Sequence, residues 1–125
     1  MNRKWSTNEP PIDLATLMDK HVRAADLAIT SLQHLPESFT TIRLLADIGV
    51  ARKELSQVQS YIQDTYRSVT IEPGDDDYLI LHAIEERLEH ALRTTIMDNT
   101  SEDQINLLVS TIEKGLHIVS HLTSP

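Results

Sequence analysis

Apolar residues recur along most of the chain at alternating spacings of three and four, which is the period of one face of an α-helix. The pattern is most regular in the segment 44–69, where the apolar positions follow one another without a slip: Leu44, Ile48, Ala51, Leu55, Val58, Ile62, Thr65 and Val69. Their mean spacing of about 3.5 residues is that of helices packed side by side with a left-handed twist. No segment alternates polar and apolar residues as a half-buried strand would. The sequence therefore predicts an all-α fold.

Turn and capping residues divide this periodic chain into four helices. Pro36 breaks the first run, and Pro73-Gly74 forms the clearest turn. Asn99 suits the residue after a helix end, and Ser101 with Gln104 matches the S-x-x-Q capping box that begins a helix. The predicted helices lie at about residues 13–34, 38–69, 76–98 and from Ser101 to about 122.

Four amphipathic helices with short connections pack best as an antiparallel, up-down-up-down four-helix bundle. Residues 1–11 are expected to form a short N-terminal tail ending in Pro10-Pro11, and residues 12–125 a single helical-bundle domain. Trp5 is the only tryptophan, and it lies in this tail.

Composition narrows the functional classes. The 125 residues carry a net charge of −8, from 11 basic and 19 acidic side chains, so phosphate backbones repel the chain and nucleic-acid binding is not expected. The absence of cysteine excludes disulfides and thiolate chemistry. No stretch approaches the roughly 20 apolar residues needed to cross a bilayer. Because "MNRKWSTNEPP" lacks the apolar core of a signal peptide, we expect a cytoplasmic protein without a membrane partner.

The segment "HAIEERLEHAL" at 82–92 is the part of the chain that most resembles a chemical site. Relative to Leu88 on the apolar side, His82, Glu86 and His90 fall at about 120°, 160° and 200° around the helix. This places the three residues in a ladder that faces solvent, where paired side chains are the simplest interpretation. The alternative is a metal site formed by His82, Glu86 and His90, because histidines one turn apart can share an ion.

The other histidines are expected to be structural or exposed. His117 and His121 fall at about 140° and 180° from the core direction of the fourth helix, so both are expected at the surface. His21 flanks the apolar face of the first helix, between Leu17 and Ala24-Ala25. We expect it to be a half-buried, hydrogen-bonded structural histidine.

The segment His90-Ala91-Leu92-Arg93-Thr94 resembles the phosphoacceptor segment of the histidine phosphocarriers, which are also helical bundles of about this length. In that family an exposed histidine is followed at three positions by Lys or Arg and at four by Gly. Arg93 matches the basic position, while Thr94 stands where the family has glycine. The resemblance covers five residues and implies an alternative function, a phosphate relay through His90.

A surplus of apolar residues points to an interaction surface. The segment "FTTIRLLADIGV" at 39–50 is apolar nearly all round, which is unusual for a surface helix of an isolated bundle. Side chains off the predicted core face would form a patch that monomers avoid. The predicted dimer or partner interface consists of Phe39, Ile42, Leu45, Val50, Leu107 and Ile118.

The sequence therefore predicts a small acidic interaction protein, regulatory or adaptor in role and forming a homodimer. No catalytic residues and no cofactor are expected. Metal binding by the histidine ladder and phosphate transfer through His90 are the alternatives.

Overall fold

The computed structural model describes residues 9–65, 69–94 and 100–123 of the chain. Within these ranges it contains four helices, which confirms the predicted all-α four-helix fold. They are α1 (Leu14–His34), α2 (Phe39–Thr65), α3 (Tyr78–Thr94) and α4 (Glu102–Thr123). The end of the predicted third helix at 95–98, Asn99 and Trp5 lie outside the described residues.

Side chains placed just before the helices satisfy the free amides of their first turns. Asp13 caps α1 by accepting a hydrogen bond from the Thr16 amide at 3.0 Å. At α4 the predicted capping box is confirmed, since the Ser101 hydroxyl accepts from the Gln104 amide at 3.2 Å and the Gln104 side chain accepts from the Ser101 amide at 2.9 Å. These local bonds explain why the helices begin where the sequence indicated.

A short antiparallel pair of strands joins the beginning of α1 to the segment before α3. β1 (Ile12–Asp13) pairs with β2 (Thr70–Ile71), with Ile12 opposite Ile71. The prediction that the second helix continues to Val69 is therefore wrong, because the Val69 carbonyl accepts a hydrogen bond from the Leu14 amide at 2.9 Å outside any helix. The conformation of Val69 is therefore set by this backbone hydrogen bond and not by the helical spacing of the apolar residues before it.

The predicted seam of α2 is buried along most of its length. Val58 is only partly buried, and Thr65 is exposed at the end of the helix. The fully buried members of the seam are Leu44, Ile48, Ala51, Leu55 and Ile62. None of the helices, over the residues described, has an apolar run long enough to cross a membrane.

The four helices do not pack in the order in which they occur along the chain. α1 and α4 pack against each other, and each also packs against both α2 and α3. Among the described residues, α2 and α3 share no substantial contact. The bundle therefore has a short diagonal formed by α1 and α4, with α2 and α3 at opposite corners.

Individual contacts give the direction of α2 relative to its neighbours. Arg52 of α2 lies 2.8 Å from Asp26 of α1, and the Leu14–Val69 bond joins the start of α1 to the residues after α2, so α1 and α2 run antiparallel. Ser38, just before α2, donates to Glu102 at the start of α4 at 3.1 Å. α2 and α4 therefore start at the same end of the bundle.

The contacts of α3 give its direction in the same way. Before α1, the Pro10 carbonyl accepts a hydrogen bond from the hydroxyl of Tyr78, at the start of α3, at 2.7 Å. Further along α1, Lys20 lies 3.0 Å from Glu85 and 2.9 Å from Glu89. Numbering thus increases together in the two helices, and α1 and α3 are parallel neighbours.

The short diagonal depends on small residues and one glycine. Ala24, Ala25 and Ala28 of α1 are fully buried. Opposite them, Gly115 of α4 lies directly against the His21 ring, so that a Cβ at Gly115 would overlap the Nε2 atom. Without a side chain at this position, α1 and α4 approach closely enough to enclose His21.

Replacing Gly115 with alanine should lower the free energy of unfolding by about 1–3 kcal/mol, the usual cost of overpacking a core. The reason is the overlap between the new methyl group and the His21 ring. In a His21→Ala background the same substitution should lower the free energy of unfolding by clearly less. Urea unfolding of the wild type, both single variants and the double variant measures this coupling. An equal cost in both backgrounds would show that the ring and Gly115 are not in contact.

Candidate functional site

An apolar surface covers the outer side of the first half of α2. Phe39 is 84% exposed, Val50 63%, Ile42 54% and Leu45 37%. These four side chains, here called the α2 face, point away from the seam that α2 presents to α1 and α4. The structure thus brings together four of the six predicted interface residues on one helix.

The α2 face contains small side chains as well as large ones. The small residues Ala46 and Gly49 lie exposed among its larger side chains, and no described residue beyond the adjacent turns of α2 comes within 4 Å of a Cβ built on Gly49. Beside the face, Arg43 and Asp47 form an ion pair at 3.6 Å, so their charges compensate each other. Such a surface is suited to close contact with another helix.

The remaining two predicted interface residues belong to other environments. Leu107 is 62% exposed, but it lines a cleft between α1, α3 and α4, and no residue of α2 contributes to that cleft. Ile118 is partly buried and packs against the core. The expectation that Ile118 is exposed is therefore corrected. Its angle from the core direction places it on the side of α4 where neighbouring side chains cover it.

The cleft, here called the α3–α4 cleft, has a volume of about 900 Å³. One of its lining groups is unusual: the Ser31 hydroxyl is buried and has no hydrogen-bond partner among the described residues. Residues of three helices and Thr100 before α4 line the cleft: Leu27, Ser31, Ala83, Glu86, Arg87, His90, Ala91, Thr100, Gln104, Ile105, Leu107, Leu108 and Thr111.

The predicted histidine ladder on α3 is a set of side-chain pairs. His82 is half-buried, with its ring stacked on that of Tyr78 at a centroid distance of 5.7 Å. Its Nε2 atom lies 3.6 Å from Glu9 and its Nδ1 atom 3.9 Å from Glu86. Both ring nitrogens therefore face carboxylates, as expected for local pairing rather than for metal binding.

The alternative metal site finds no support in the geometry of the chain. His82 and His90 are eight residues apart, which corresponds to about 12 Å along a helix and is too far for one ion. Across the ranges 9–65, 69–94 and 100–123, no group of three His, Asp or Glu side chains is close enough to hold a metal ion.

His90 itself is exposed and lines the α3–α4 cleft. Arg93, which matches the basic position of the phosphocarrier pattern, lies 3.6 Å from Glu89. His117 and His121 are exposed as predicted. The phosphate relay through His90 stays a prediction, since nothing in this geometry tests it.

A half-buried ion triad that sequence reasoning missed joins α1 to α3. Hydrogen bonds from Lys20 lower the pKa of Glu89. Burial acts to lower the pKa of Lys20, but the hydrogen bonds and charges of Glu89 and Glu85 outweigh it and raise that pKa. The triad holds α3 against α1 in a single register. Periodicity within one helix contains no signal for it, because the partners come from different helices.

His21 is buried completely, not half-buried as predicted. Its Nδ1–H donates to the Leu17 carbonyl at 2.9 Å, while Nε2 has no hydrogen-bond partner in the described part of the chain. Burial lowers the pKa of His21 to about 4. The side chain is therefore neutral near pH 7 and serves as a core group of the α1–α4 contact.

No family model, curated protein or solved structure matches this chain. Two surfaces defined by the fold are left as candidates for function. One is the apolar α2 face, and the other is the α3–α4 cleft with its buried hydroxyl.

The buried His21 should make stability depend on pH. The pKa is about 4 in the folded chain and 6.5 when unperturbed, so the unfolded chain binds the proton more readily between these values. The contribution of the neutral, buried His21 to the free energy of unfolding is complete above pH 6.5 and is lost as pH falls toward 4. Between pH 7.5 and 4.5 we expect His21 to account for a loss of roughly 2–3 kcal/mol.

Urea unfolding of the wild type and of His21→Leu at the two pH values checks this expectation. The variant should not show the loss of unfolding free energy that we assign to His21. His34→Leu is the matched control, because His34 makes the same bond to the carbonyl four residues earlier but is exposed. An identical pH dependence in wild type and His21→Leu would contradict a neutral, buried His21.

Proposed function

We propose that this protein is a small cytoplasmic interaction protein without enzymatic activity, and that it forms a homodimer through the α2 face in a regulatory or adaptor role. The observation that supports this proposal is the clustering of Phe39, Ile42, Leu45 and Val50 on one exposed helix side. Complete burial of a side chain of this size contributes about 1.5–3 kcal/mol. Four neighbouring side chains thus provide the apolar centre that an interface needs.

Gly49 gives a second reason to place a helix against the α2 face. An exposed glycine inside a helix costs about 1 kcal/mol relative to alanine. No contact among the described residues requires a glycine here, since a Cβ at this position would meet none of them within 4 Å. A helix crossing at Ala46 and Gly49 would use the missing side chain for close approach.

A second copy of the chain is the simplest occupant of this face. In a twofold dimer the same patch appears on both sides, so the apolar α2 face would meet itself. Two chains with a net charge of −8 repel each other at long range, whereas the four side chains of the face are uncharged and Arg43 beside them pairs with Asp47. Salt should therefore strengthen the dimer by screening the remaining charges.

Sedimentation equilibrium at several salt concentrations tests the dimer. The wild type should approach twice the chain mass of 14.1 kDa, and more completely as salt increases. Ile42→Glu should run as a single chain, since it buries an unpaired carboxylate in the interface. The matched control is Leu79→Glu, because Leu79 is equally apolar and 69% exposed but lies on α3.

Gly49→Ala distinguishes the cost of this glycine to helix stability from its benefit to the dimer contact. It should raise the unfolding free energy of the single chain by about 0.5–1 kcal/mol and weaken the dimer. A wild type that sediments as one chain at every salt concentration, or an Ile42→Glu variant that stays dimeric, would contradict the proposal.

A further inference from the structure

The α3 wall of the α3–α4 cleft combines two short side chains with the longer Glu86, Arg87 and His90. Ala83 and Ala91 line the α3 wall, and neither reaches across to the opposite wall. On α4 the wall includes Ile105 and Leu108, while Leu27 of α1 lies behind them. The result is a largely apolar space of about 900 Å³, within the usual size range of small-molecule sites.

One polar group inside this space is without a partner. Ser31 is only 6% exposed, and its hydroxyl makes no hydrogen bond to any described residue. Other buried hydroxyls behave differently: those of Thr111 and Thr123 each donate to the carbonyl four residues earlier, at 2.9 Å, and that of Thr41 donates to the Ser38 carbonyl at 3.0 Å. A buried hydroxyl without a partner costs free energy, and a ligand atom in the cleft would remove that cost.

A positive charge borders the same cleft. Arg87 is exposed on α3, lines the cleft and has no ion-pair partner within the described ranges. Glu89 bonds to Lys20, whereas Glu86 lies 3.9 Å from His82 and also lines the cleft beside Arg87. In a chain with a net charge of −8, an unpaired guanidinium beside an apolar cleft is the local feature that would attract an anion.

We propose that the α3–α4 cleft binds a small amphipathic anion, with an apolar body between Ala83 and Leu108, a hydrogen-bonding atom at Ser31 and a single negative group at Arg87. The three features lie in one cleft and differ in chemistry, which defines the ligand class. This site is separate from the proposed dimer surface, because no α2 residue lines it.

A pair of fluorescent dyes tests the ligand class. Anilinonaphthalene sulfonate has an apolar ring system and one negative group, and phenylnaphthylamine has the same rings without the charge. The wild type should bind one sulfonate dye per chain, more tightly than the neutral dye. Amide shifts in NMR spectra should map the bound dye to residues 27–31, 83–91 and 104–111.

Three variants test separately what Arg87, the apolar walls and the Ser31 hydroxyl contribute to dye binding. Arg87→Gln should weaken the sulfonate dye about tenfold and leave the neutral dye unchanged, since one charge-assisted contact is lost. Ala83→Phe should weaken both dyes at least about tenfold by occupying the apolar space. Ser31→Ala removes the buried hydroxyl with little change in shape, and it should weaken both dyes about fivefold, because the amino N–H of each dye then loses its acceptor at Ser31.

Ile42→Glu on the α2 face is the control and should bind both dyes as the wild type does. Unfolding by urea shows that each variant is folded before binding is measured. Loss of dye binding in Ile42→Glu with unchanged binding in Ala83→Phe would overturn the proposal, because the dye would then occupy the α2 face. Amide shifts of cleft residues that grow with protein concentration in the absence of dye would also overturn the proposal, because a second copy of the chain would then occupy the cleft.

Discussion

The contact between His21 and Gly115 determines how the four helices are arranged. The ring lies between α1 and α4, directly against a residue that has no side chain. Buried alanines on α1, such as Ala25, follow His21 along the helix. Two helices this close form the short diagonal of the bundle, so α2 and α3 are separated at opposite corners. This packing requires a residue without a side chain at position 115 of α4.

Both candidate functional surfaces result from this arrangement. α2 packs only against α1 and α4 among the helices, so its outer side is covered by nothing else in the described chain. α3 is held against α1 by the Lys20 triad, and a cleft lies between α3 and α4. The apolar α2 face is suited to another helix, whereas the cleft combines apolar walls with Ser31 and Arg87. A homodimer that also binds a small anion is consistent with both surfaces.

Periodicity predicted the helices well because it reports which side of each segment is buried. It could not predict which helices are neighbours, since every amphipathic helix presents the same kind of apolar stripe. For that reason Leu107 was assigned to the α2 surface, although it lines the α3–α4 cleft. His21 was expected to be half-buried because the sequence does not show that Gly115 lies opposite. Ser31 was missed because its significance depends on a missing partner, which only the packed structure reveals.

The most direct test of the account is an NMR measurement on His21. Long-range proton–nitrogen spectra report which ring nitrogen is protonated, and nuclear Overhauser effects report the distance from the ring to the Gly115 α-protons. We expect a proton on Nδ1, none on Nε2, close contact with Gly115 and no titration until pH approaches about 4. Titration near 6.5 without contact to Gly115 would contradict the short diagonal and the surfaces that depend on it.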